Sequence, residues 1–164
     1  MDWERKMEEM ARQLLGEHGL TEQGWSFEWD RAMTSLGSCS HGRRVITMSK
    51  PLAKVNTADE MMDTLLHEIA HALVGPQVGH GREWRSMARK LGAKLDRVAH
   101  AAVAVPAPWQ GTCPACGELV ERYRLTQRTR ESACEACCRM HNGGRWSARY
   151  VFVWKRMDRR KGDR

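Results

Sequence analysis

Apolar residues recur at helical spacing near the start of the chain. Trp3, Met7, Met10, Ala11, Leu14 and Leu15 would line one face of a helix over Asp2–His18, and Gly19 suits its end. Trp25, Phe27 and Trp29 alternate with polar residues, the two-residue period of a strand. Two more strands are predicted over Arg31–Ser38 and Arg43–Ser49, joined by a turn around His41-Gly42. Thr57-Ala58-Asp59-Glu60 then carries a capping-box pattern. The helix it opens runs through Met61, Leu65, Leu66, Ile69 and Leu73 to Gly75-Pro76. A further helix over Arg82–Leu91 would turn Trp84, Met87, Ala88 and Leu91 inward and stop at Gly92. A connector rich in Ala, Val and Pro follows. Beyond it lie a cysteine pair, a β-like stretch at Tyr123–Thr129, a second cysteine group and an aromatic β-like stretch at Trp146–Trp154. No internal repeat is visible.

Charge divides the chain at the same place. Up to Leu95 there are 13 basic and 13 acidic side chains; from Asp96 onward there are 14 and 7, so the whole excess of +7 lies in the second part. That asymmetry points to two modules, the basic one facing a polyanion, with a merely solvated basic surface as the alternative. The 41% hydrophobic content excludes wholesale disorder. The weakly polar run Val98–Trp109 is broken by His100, Pro106 and Pro108 and is too short to span a bilayer. Met1–His18 is charged throughout and has no apolar secretory core. The expectation is a cytoplasmic protein that binds no membrane. Five of the six cysteines fall between Cys113 and Cys138, and inside a cell such a cluster is expected to hold a metal.

The long helix carries His67-Glu68-Ile69-Ala70-His71. Histidines four apart stand one turn apart on one face, so both reach a single ion, and Glu68 is offset beside the ion's open side. Zinc held by three protein ligands keeps a position for water and lowers its pKa toward ~7. Glu68 can then take that water's proton as it attacks a carbonyl, and pass it to the leaving amine. The third ligand expected is His80, in Val78-Gly79-His80-Gly81, where the Gly-Pro break lets the chain turn back toward the helix. His41 and His100 are weaker candidates.

The stretch DTLLHEIAHALVGPQVGHGREW resembles the SprT-like family of zinc metalloproteases, as does GRRVITMSKPLAKVNTADEMMDTLL before it. The family pattern is HExxH, a third histidine in a short GHG segment, then an acidic and an aromatic residue. Here these are His67, Glu68, His71, His80, Glu83 and Trp84. The resemblance implies an α+β, zincin-like domain with an active-site helix and a small sheet. It also implies proteolysis near DNA, including removal of proteins crosslinked to DNA, and hence a nucleoid or DNA-associated location. Arg82 stands where relatives often carry Pro. Both tyrosines lie in the second module, so stabilisation of an oxyanion in the first stays open among Arg43, Arg44, Arg82, His41 and the metal alone.

The second module reads Cys113-Pro114-Ala115-Cys116-Gly117 and, after 17 intervening residues, Cys134-Glu135-Ala136-Cys137. This is the spacing of a structural four-thiolate zinc site. Cys137 is preferred to Cys138 as the fourth ligand because it keeps two residues between partners; His141 is a remoter substitute. Cys39 reads as a small buried hydrophobe. Arginines interleaved with aromatics suit single-stranded nucleic acid, and the residues expected to touch it are Arg122, Arg124, Arg128, Arg130, Arg145 and Trp146. The organisation expected is a SprT-like domain over 1–95, a linker over 96–110, a small β zinc ribbon over 111–155 and a basic tail over 156–164. The chain would bind two zinc ions, one catalytic and one structural, and act on proteins. The competing reading is a non-proteolytic nucleic-acid-binding or regulatory protein with a vestigial zincin site.

Overall fold

The computed structural model describes residues 2–95 and 104–157. The elements are α1 (Asp2–Glu17), β1 (Ser26–Asp30), β2 (Gly37–Ser40), β3 (Val45–Ser49), α2 (Lys50–Ala53), α3 (Ala58–Val74), α4 (Arg82–Leu91), β4 (Trp109–Thr112), β5 (Leu119–Arg122), α5 (Gln127–Arg130), α6 (Glu135–His141), a 3-10 turn at Ala148–Tyr150 and β6 (Val153–Arg156). The class is α+β, in two compact units, Met1–Val105 and Pro106–Arg164. Among the described residues no helix is long and apolar enough to cross a membrane.

In the first unit β3 is the middle strand, parallel to β1 on one side and antiparallel to β2 on the other. All five of its residues are buried, as a centre strand covered on both faces requires. Met7, Ala11 and Leu15 of α1 pack with Ile46 and Met48 of β3 and with Met61, Leu65 and Ile69 of α3 to form the main core. Met10 does not join them: it is 40% exposed, so the apolar stripe of α1 is narrower than its spacing predicts.

α3 is sandwiched. One face joins that core, and Leu66 and Ala70 on another meet Trp84 and Ala88 of α4. The capping box at its start is complete: Thr57 Oγ1 accepts from the Glu60 amide, and Glu60 accepts from the Thr57 amide at 2.7 Å. At its end Gly75 takes φ +91°, a left-handed angle that frees the chain to leave the helix.

Three predicted strands are placed differently. Over Arg31–Ser38 only Gly37 and Ser38 are extended, within β2, because the Asp30 carboxylate accepts from the Ala32 amide at 2.9 Å and turns the chain. Tyr123–Thr129 is not a strand: β5 ends at Arg122, and the Thr126 hydroxyl caps the short helix α5. Trp146–Trp154 is mostly turn, with only Val153 and Trp154 in β6.

The second unit is a small three-stranded sheet, order β5-β4-β6, with α5 and α6 carried on its connections. Gly111 of β4 is required: a Cβ there would meet the Trp154 ring at 2.9 Å. Cys113, Cys134, Cys137, Cys138, Tyr150 and Phe152 form a small core around the thiols.

Candidate metal centres

His67 and His71 project from one face of α3, and the loop after Gly75-Pro76 returns His80 to them. The three Nε2 atoms converge, with separations of 3.3 Å (His67–His71), 3.0 Å (His71–His80) and 3.0 Å (His67–His80). Three imidazole nitrogens each about 2.0–2.1 Å from one tetrahedral zinc would stand about 3.3–3.4 Å apart, so the triangle fits such an ion closely. Burial holds the His67 and His71 imidazoles down to about 4, aided by neighbouring histidines. Both are therefore neutral at pH 7, as ligands must be. Of the weaker candidates, His41 stands nearby without joining the triangle, and His100 lies outside the described residues.

Glu68 opens onto the same cleft, of about 640 Å³, with Ser38, Cys39 and His41 on its rim. Burial pushes its carboxyl up to about 7. A cation on the three imidazoles would oppose that shift by favouring the carboxylate. Strand β2 lies hard against this part of α3: a Cβ on Gly37 would meet Thr64 Cγ2 at 2.7 Å and Glu68 Cγ at 3.1 Å. Of the four residues considered for an oxyanion, only His41 lines the cleft. Arg43 is paired with Glu28 at 2.9 Å, and Arg44 donates to the Gln23 carbonyl at 2.7 Å.

The residues least visible in the sequence are those that reach the site from other elements. Gly37 and Cys39 come from β2. Trp84, which the sequence marks as inward and as the aromatic of the family pattern but not by what it touches, lies against all three histidine rings, with centroids 4.6 Å from His67, 5.3 Å from His71 and 4.6 Å from His80.

In the second unit the thiols of Cys113, Cys116, Cys134 and Cys137 converge, and Cys138 stays outside the group. Cys113–Cys137 and Cys116–Cys134 are each 3.8 Å apart. Sulfurs about 2.3 Å from one tetrahedral zinc stand about 3.8 Å apart, so this set fits as well. Gly117 at φ +77° closes the first knuckle. Burial alone would raise the Cys113 thiol, but amides of Cys116 and Ala115 donate to its sulfur and bring it down to about 7. Glu118, which sequence spacing does not single out, accepts from the Cys134 thiol at 2.9 Å and raises it to about 11. His141 is not in the group; its ring lies against Tyr150.

The arginines expected at a nucleic acid, Arg122, Arg124, Arg128, Arg130 and Arg145, are all exposed. Arg128 and the 61%-exposed Trp146 line one open groove. Tyr150, by contrast, is buried, and Trp154 packs over Gly111. Trp109 pairs across the sheet with Arg122 and Arg156, and the Arg156 guanidinium lies 6.0 Å from its ring centroid.

No curated protein matches the chain. Comparison with protein-family models matches residues 3–104 to the SprT-like family, whose members have a zincin-like fold and are associated with metallopeptidase function. The match covers α1 to α4, and with them every residue of the three-histidine centre. The chain therefore belongs to the SprT-like family.

Proposed function

We propose that the protein is a zinc-dependent endopeptidase acting on DNA-associated or DNA-crosslinked proteins. The observation that carries this reading is the buried Glu68 carboxyl opening, beside three convergent imidazoles, onto one cleft of about 640 Å³. His67, His71 and His80 would hold the catalytic ion; Cys113, Cys116, Cys134 and Cys137 would hold a structural one. When bound, zinc supplies Lewis acidity, polarising a carbonyl and lowering the pKa of water. The protein's own residues do the rest. Glu68 accepts a proton on its carboxylate from the attacking water and returns it to the leaving amine nitrogen. His41, on the cleft rim, donates to the carbonyl oxygen as negative charge builds there. The absence of a side chain at Gly37 leaves the space beside Glu68 Cγ that a Cβ would enter at 3.1 Å.

DNA contact is assigned to the ribbon. Its exposed arginines supply phosphate contacts, and Trp146 and Trp109 offer ring faces beside Arg128, Arg122 and Arg156. On this reading the protein works with the nucleoid or other cytoplasmic DNA. The test is cleavage of casein or a histone with and without single-stranded DNA. Cleavage that needs zinc supports the reading, and an increase with DNA supports recruitment by the ribbon. A fully zinc-loaded protein that cuts neither substrate would overturn it.

A further inference from the structure

A histidine that binds metal must have its ring plane held, and the common device is a carboxylate, carbonyl or water accepting from the other ring nitrogen. Among the described residues, no protein group hydrogen-bonds Nδ1 of His67 or His71; their polar ring contacts run through Nε2 alone. An indole packs against the rings instead. Trp84 is fully buried in the first turn of α4. It meets His71 face to face at 28°, His67 at 58° and His80 edge-on at 86°. One rigid plane thus abuts three rings at three different angles.

The surroundings are built for it. Ala70, between the two helix histidines, and Ala88 and Ala93 are the small residues that leave room for the indole. The indole N–H is buried and has no hydrogen-bond partner, a cost that a phenyl ring in the same core would avoid. What a phenyl ring lacks is the reach to cover all three imidazoles. A cation shared by those imidazoles would also be drawn to an aromatic face beside them.

We infer that Trp84 is the positioning residue of the three-histidine centre, pre-setting the ligand rings through packing where no protein group accepts from Nδ1 of His67 or His71. This rests on the reading that those histidines hold a metal ion. It concerns metal affinity rather than peptide cleavage.

The test is cobalt titration of the full chain and of Trp84→Met and Trp84→Phe, with apo folding followed by circular dichroism. Thiolate-to-cobalt charge-transfer absorption reports the ribbon as an internal standard, and the remaining d–d bands report the histidine centre. Trp84→Met keeps apolar bulk without a ring. It should bind cobalt at the histidine centre about 10–100-fold more weakly, the usual range for losing a group that orients a ligand, with ribbon binding unchanged. Trp84→Phe should recover part of the affinity and show shifted d–d bands. Wild-type affinity and bands in both variants would overturn the inference. Should Trp84→Met not fold, unchanged affinity and bands in Trp84→Phe alone would do so. Absence of cobalt binding at the histidine centre of the wild type would instead remove the metal reading beneath it.

Discussion

Gly37 carries a demand that no local rule announces. Its φ is ordinary; what excludes a side chain is Thr64 Cγ2 at 2.7 Å, with Glu68 Cγ behind it. Gly37→Ala should therefore cost about 1–3 kcal/mol, as overpacking does, measured by denaturant unfolding. It should also lower turnover by displacing Glu68 or β2. Stability and activity equal to wild type would mean that the strand can shift without consequence. His41 makes a second test at this scale. If it donates to the developing oxyanion, His41→Ala should lower kcat about 10²–10³-fold with little change in KM. A change confined to KM would make His41 a binding residue.

At the scale of elements, α3 carries the site, so its start matters to its middle. Thr57→Ala should cost about 0.5–2 kcal/mol through loss of the cap. Hydrogen bonds from the Thr57 amide and hydroxyl hold the Glu60 carboxyl below the usual carboxylate range. Its folded pKa therefore lies below its unfolded one. The stability it contributes is complete above the unfolded pKa and is lost as pH falls through the folded value. Glu60→Gln should flatten that acid-side loss in a pH series of melting temperatures; an unchanged profile would show the box contributes nothing.

The elements also show where sequence patterns inform and where they fail. α3 was legible because an amphipathic period, a capping box and a terminal glycine agree, and α4 because its period and terminal Gly92 agree. The strands over 31–38, 123–129 and 146–154 misled because short side chains redirect the backbone. Asp30, Thr126 and Ser147 each bond an amide two or three residues ahead and convert β-prone stretches into turns. The short helix α6 was hidden by its own cysteines, whose spacing speaks of metal and not of backbone.

For the whole molecule, the candidate ligands of both centres were readable because each set lies in short runs of characteristic spacing. Their surroundings were less so: Gly37 and Glu118 act on residues of other elements, and the family pattern marks Trp84 without telling which rings it touches; only folding brings them there. The charge asymmetry acquires a physical role in a ribbon whose arginines stand clear of its core. Affinity for single-stranded DNA should fall steeply with salt. The slope of log affinity against log salt should shrink by about 0.7 for each phosphate-contacting arginine removed in Arg124/Arg128/Arg130→Ala. Salt-insensitive binding would assign the ribbon a protein partner instead. Metal analysis should find two zinc ions per chain, and a count of one would remove one centre.

On the proposed mechanism Glu68 moves protons in a zinc-dependent peptide hydrolysis while taking no part in holding the ion. The most direct measurement compares casein or histone cleavage by wild type and Glu68→Gln at matched, directly measured zinc content. Equal zinc is expected in the two proteins, with cleavage by the variant lower by about 10²–10⁴-fold, the range for loss of a general acid–base group. Equal cleavage at equal zinc would contradict that mechanism.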